Sequence, residues 1–222
     1  AIDFSDCART ALAQGARLAA QSGASLHVIH VVRDEHAAEL QQILPRSIKA
    51  LHDDLSRNTV RRIGEELRAI GREPAASTIA VVGSPVGQIV NAVRDLSADL
   101  LIVGATGESD RADLGTTAVR CVRKAPTKVL VVPNGCDGVF RRVVACVDFS
   151  PLTPVVLAQA ARVSYLDGGS ISAIHVYQMA WELARWGPAP EDAGRIESEF
   201  RSMKERRVRD EREKIDEHEG VE

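Results

Sequence analysis

Gly104-Ala105-Thr106-Gly107 and, further on, Gly115-Thr116-Thr117 are the residues best suited to chemistry in this chain. Glycines let backbone N–H groups come close to an anion. A helix opening at Gly115-Thr116 would add unpaired N–H donors and the positive end of its dipole. An apolar run, Asp99 to Val103, leads into the first glycine, and a second, Lys128 to Val132, follows a short helix later. Strand, glycine loop, helix, strand is the layout of a phosphate cradle. Other chemistries lack their residues. There is no GxSxG, no GxGxxG, and no lysine placed after the loop as in a Walker motif. Cys7, Cys121, Cys136 and Cys146 are scattered, with no CxxC. The expectation is therefore no metal site, no catalytic residues, and a reduced, cytoplasmic setting.

The elements that hold the loop follow from an internal repeat. The stretch from Asp3, DFSDCARTALAQGARLAAQSGASLHVIHVV, recurs without a gap 145 residues later from Asp148 as DFSPLTPVVLAQAARVSYLDGGSISAIHVY. Each copy reads strand, helix, strand; the second has a full opening strand, Val143 to Val147, before its Asp-Phe-Ser, where the first has only Ala1-Ile2. In that copy Ser150 is the expected N-cap, Pro151 the first helical residue, and Val156, Ala160 and Val163 the inward face. Gly168 should end the helix, with a strand over Ile171 to Val176. The first copy continues with a helix over Ile48 to Ile70, a strand over Ser77 to Val82, and a helix capped by Ser84 with Pro85 in its first turn. A charge-dense helix is expected over Arg195 to Glu219. Alternating strands and helices predict an α/β fold with a parallel sheet and helices on both faces.

Net charge is −3 over 222 residues, which provides no basic footprint for nucleic acid. No apolar stretch is long enough to span a membrane. His30 and His175 close matching strands, which repeated structure explains better than catalysis does.

Taken together, Asp-Phe-Ser after the first strand, His-Val closing the second, Gly-Ser-Pro before a helix, and LIVGATG…GTTA…APTKVLVVP resemble the universal stress protein family. The chain looks like a tandem member: residues 1–133 as one domain with a shortened first strand, 134–141 as a linker, and 142–222 as the first half of a second domain. The resemblance implies an open, doubly wound, five-stranded sheet of order 3-2-1-4-5 with its ligand crevice where the winding reverses. It also implies an adenine nucleotide such as ATP or AMP, with or without Mg²⁺, and a sensor or regulator role. Asp3 would meet the ribose and Val31 would offer backbone groups to adenine. Gly104 and Gly107 would pass under the phosphates. Gly115, Thr116 and Thr117 would donate hydrogen bonds to them. Seven residues, 108–114, separate Gly107 from Gly115, two fewer than the family pattern. A dimerising scaffold that binds no nucleotide is the alternative, and a slow ATPase is a third reading. The last strand, Lys128 to Val132, would join tandem halves or a homodimer.

Overall fold

The computed structural model describes residues 1–35, 39, 48–71, 76–107, 114–176 and 190–219. The chain divides into two compact units, Ala1–Gly138 and Val139–Glu222.

The first unit opens with α1 (Asp6–Ser22). Ser5 caps it: residue 5 is extended, and its hydroxyl accepts from Ala8 N at 3.2 Å. Gly23 closes it at φ 68, a conformation glycine adopts without a Cβ penalty. There follow β1 (Leu26–Val32), α2 (Ile48–Ala69), β2 (Ala76–Val82), α3 (Pro85–Asp95), β3 (Leu100–Gly104), α4 (Thr116–Lys124) and β4 (Lys128–Val132). Strands β1 and β2 pair in parallel, and so do β3 and β4.

Alternation along β1 directs its two faces. Val28 packs with Ala8 and Leu12 of α1 and with Ile63 and Leu67 of α2. Its neighbour Ile29 packs with Ile89 and Val93 of α3, Leu101 and Val103 of β3, and Ala118 and Cys121 of α4. Adjacent residues of one strand thus face different helix pairs, so helices cover both faces. The core is aliphatic, as the scarcity of aromatics requires.

Among the described residues the paired strands of the first unit form two parallel pairs, β1 with β2 and β3 with β4. Between the pairs stands the segment of Ala1 and Ile2. Ile2 N donates to Ile29 O of β1 at 2.9 Å, and Ala1 N donates to Ile102 O of β3 at 2.7 Å.

The second unit comprises β5 (Arg142–Cys146), α5 (Thr153–Asp167), β6 (Ser170–Ile174) and α6 (Pro190–Glu219), with β5 and β6 parallel. Ala145, Val147, Leu157 and Ala160 form its core. Val144, Ile174 and Val176 are exposed. Two expectations need correction. Helix α5 starts at Thr153, with Leu152 as N-cap, and Ser150 is not the cap. A helix capped by Ser150 needs the N–H of residue 154 for its first bond to Ser150 O, and residue 154 is proline. The chain makes a turn instead, in which Thr153 N donates to Ser150 O at 3.0 Å. The inward face of α5 is Leu157, Ala160, Ala161 and Ser164, whereas Val156 is exposed and Val163 half-buried.

Candidate functional site

The site is built where the turn after Ile2 meets the loop after β3. Asp3 is exposed, and its Oδ1 accepts from Ser5 N at 3.1 Å and from Ser5 Oγ at 2.6 Å. The same Ser5 oxygen caps α1, so the helix start and the carboxylate are set by one turn. The other oxygen of Asp3 is directed at the glycine loop. A Cβ added to Gly107 would lie 3.0 Å from Asp3 Oδ2. Residues 3 and 107 are brought together by the fold, and the absence of a side chain at 107 leaves room for the carboxylate.

The other glycines do different work. A Cβ on Gly104 would meet Ala8 N and Cys7 C at 3.0 Å and Cys7 O at 3.1 Å. Gly104 is therefore needed for the close approach of β3 to the first turn of α1. A Cβ on Gly115 would lie 3.2 Å from Ala105 O, the acceptor of the 2.7 Å bond from Gly115 N. That bond brings the start of α4 back to the end of β3. Residues 108–113, the middle of the loop, lie outside the described residues.

Gly115 is also the N-cap of α4, and with no side chain it makes no side-chain capping bond. Thr116 and Thr117 occupy the first turn. The arrangement leaves the first-turn N–H groups of α4 beside a loop that Asp3 borders, the donor set an anion requires. Arg123 and Lys124 lie in the last turn, where cations complement the dipole. Val31, expected to face adenine, is half-buried in β1 opposite Val81. It lies two residues beyond Ile29, the acceptor of Ile2 N.

Three residues, Cys7, Phe4 and Arg62, were not read from the sequence as part of the site, and His30, read there as a structural repeat, joins them. Cys7 is buried under the loop: its thiol donates to Val132 O at 3.1 Å, and Thr106 N donates to its sulfur at 3.5 Å. Phe4, beside Asp3, packs its ring against His30 with centroids 4.7 Å apart. The Arg62 guanidinium lies 3.9 Å from the Phe4 centroid. His30 is fixed through Nδ1 to Ile2 O at 2.8 Å. Burial holds its pKa below the ordinary value, against the bond to Ile2 and the Asp3 charge, which raise it; Arg62 lowers it further. For Cys7 the sequence has no signal, and Phe4 is visible only as part of the repeated Asp-Phe-Ser, with Phe149 its counterpart. For Arg62 there is a signal, since Arg207 stands 145 residues on.

All four cysteines are free thiols. Among the described residues no group of three His, Cys, Asp or Glu side chains is placed to hold a metal ion. No described helix is long and apolar enough to cross a membrane.

Parallel strands covered by helices on both faces define an α/β protein. Residues 1–133 match the Universal stress protein family, and the chain belongs to that family. It is similar to a universal stress protein from Archaeoglobus fulgidus DSM 4304, at 20% identity and TM-score 0.57, covering 83% of this chain and 68% of that one. It is also similar to universal stress protein UspA from Lactobacillus plantarum, at 25% identity and TM-score 0.49, covering 59% and 92%. A universal stress protein solved in complex with cAMP matches at 26% identity and TM-score 0.43, covering 60% and 93%. No curated protein matches the chain.

Proposed function

We propose that the first unit binds an adenine nucleotide and that the protein acts as a cytoplasmic sensor or regulator in the stress response rather than as an enzyme. The observation that carries this reading is the placement of Asp3 Oδ2 against Gly107, at the mouth of a loop that ends in the uncapped start of α4. Family membership supports the ligand class. In this reading Asp3 engages the ribose or a Mg²⁺ ion on the phosphates, and the Val31 backbone faces adenine. Gly107, Gly115, Thr116 and Thr117 meet the phosphates through N–H and hydroxyl donors. Gly104 acts at one remove, by seating β3 on α1.

The five-stranded order 3-2-1-4-5 belongs to the same proposal. The bonds of Ile2 to β1 and of Ala1 to β3 support a single sheet in which residues 1–2 hold the central position. The tandem reading is supported by geometry that recurs at the repeat offset. Val147 N donates to Ile174 O at 2.9 Å as Ile2 N does to Ile29 O. Gly168 ends α5 at φ 62 as Gly23 ends α1. Strand β4 pairs only with β3 among the described residues, which leaves its other edge for a second domain or a homodimer partner.

The test is mass spectrometry of small molecules released when the purified protein is denatured. Adenine nucleotide in stoichiometric amount supports the proposal. Its absence, together with no uptake of added ATP, favours the dimerising scaffold. Steady release of ADP from added ATP would point to the slow ATPase.

A further inference from the structure

Phe4 holds a backbone conformation that bulky residues avoid, with φ 67. Such a residue persists only where its surroundings determine it. Here they do. The ring is buried among Ile2, Ala8, Leu12 and Ile63. The His30 imidazole lies against it, tilted by 45°, and the Arg62 guanidinium covers it. Residue 4 is the middle of the turn in which Asp3 Oδ1 takes the Ser5 N–H and hydroxyl. If residue 4 left the left-handed region, that turn would open and Oδ2 would lose its aim at Gly107.

The second unit repeats the device, with Lys204 Nζ as a further cation 5.2 Å from the Phe149 centroid. Phe149 has φ 61, and Ser150 N donates to Asp148 Oδ1 at 2.9 Å. The Phe149 ring lies 4.4 Å from that of His175, whose Nδ1 is 2.7 Å from Val147 O. Arg207 lies 4.8 Å from the Phe149 centroid. Arg207 is the counterpart of Arg62 at the repeat offset. Between residues 48–69 and their counterparts 193–214, only Arg61, Arg62 and Glu66 recur as the identical residue. The arginine over the phenylalanine is thus one of three identical residues in two helices that differ at most other positions.

We propose that Phe4, held by its contacts with the Arg62 guanidinium and the His30 imidazole, is the positioning residue of the Asp3 carboxylate, and that Arg62 acts on ligand binding through this clasp. The ligand half of the claim rests on the nucleotide reading above; the positioning half does not.

The test uses the full chain with Arg62→Ala, Arg62→Lys and, as a matched control, Arg207→Ala. Arg62 is exposed, so its loss leaves the fold intact. Without ligand, amide exchange of Ser5 followed by NMR should quicken by about fivefold or more in Arg62→Ala, the scale of a lost cation–ring contact. The Leu12 amide of α1 should stay within about twofold. Arg207→Ala should quicken Ser150 and leave Ser5 unchanged. With ATP and Mg²⁺ as the probe, Arg62→Ala should weaken binding by about fivefold, Arg62→Lys should restore most of it, and Arg62→Ala should have no effect in an Asp3→Ala background. An unchanged Ser5 exchange rate overturns the proposal. So does an equal loss of ATP affinity with and without Asp3. If the unaltered chain takes up no ATP, the nucleotide reading fails, and Ser5 exchange still decides the positioning claim.

Discussion

Gly104, the last residue of β3, and Gly107, in the loop after it, lie three residues apart, and the structure assigns them different consequences when each is replaced by alanine. At Gly104 the new methyl would meet the Cys7–Ala8 peptide group: Ala8 N and Cys7 C at 3.0 Å and Cys7 O at 3.1 Å. Backbone in the first turn of a capped helix cannot swing aside. Strand β3 must therefore retreat from α1, loosening the packing in which Leu101 and Val103 take part. Overpacking of this kind costs about 1–3 kcal/mol. At about 4 °C per kcal/mol for a unit of this size, the melting point of the first unit should fall by about 4–12 °C. At Gly107 the methyl meets only Asp3 Oδ2, the end of an exposed side chain. Asp3 can turn away, so stability should change by less than about 0.5 kcal/mol. What is lost is the aim of the carboxylate, and with it nucleotide affinity. Differential scanning calorimetry of the two variants, with ATP titrations in parallel, separates the effects. The reasoning is refuted if Gly107→Ala is as destabilising as Gly104→Ala, or if Gly104→Ala melts within about 1 °C of the unaltered chain.

Three further outcomes follow from named contacts. Ser5→Ala removes the α1 cap and one partner of Asp3, and should destabilise the first unit by about 1 kcal/mol in urea unfolding; no change in the midpoint would show that the cap is dispensable. His30 has its pKa lowered in the folded state, so the unfolded chain binds more protons below the ordinary value of 6.5. The stability His30 contributes should be full above pH 6.5 and be lost as pH falls through the folded pKa. His30→Gln should flatten that slope in denaturant titrations, and an unaltered slope would contradict the assignment. Gly169→Ala places a Cβ against Phe140 O and Arg141 O, so the second unit should unfold earlier while the first keeps its melting point.

Much of the first unit was legible because its signals are local. Pro85 after Ser84, Pro126 after a charged last turn, and the apolar run Lys128–Val132 mark element ends that the structure reproduces within a residue or two. The strand before the glycine loop runs one residue later than read, since Gly104 pairs with Val132 and continues the ladder. The start of α5 was misread because Ser150-Pro151 is a strong opening signal by itself. Its veto comes from the missing N–H of Pro154, further along the chain. The glycine loop was visible as a motif, but which glycine serves packing and which faces Asp3 depends on contacts across about a hundred residues of sequence. The clasp of Phe4 by Arg62 lay beyond sequence reasoning for the same reason. A cation over a ring leaves no periodic trace, and only the repeat offset to Arg207 hints at it.

The central claim is that the Asp3 turn and the loop after β3 form one nucleotide site. Isothermal titration of ATP with Mg²⁺ into the unaltered chain and into Gly107→Ala tests it most directly. The account predicts saturable binding by the first and affinity at least about tenfold weaker in the second, the loss expected when a charge-assisted hydrogen bond is misaligned. No binding by the unaltered chain, or equal affinity in the two proteins, would contradict it.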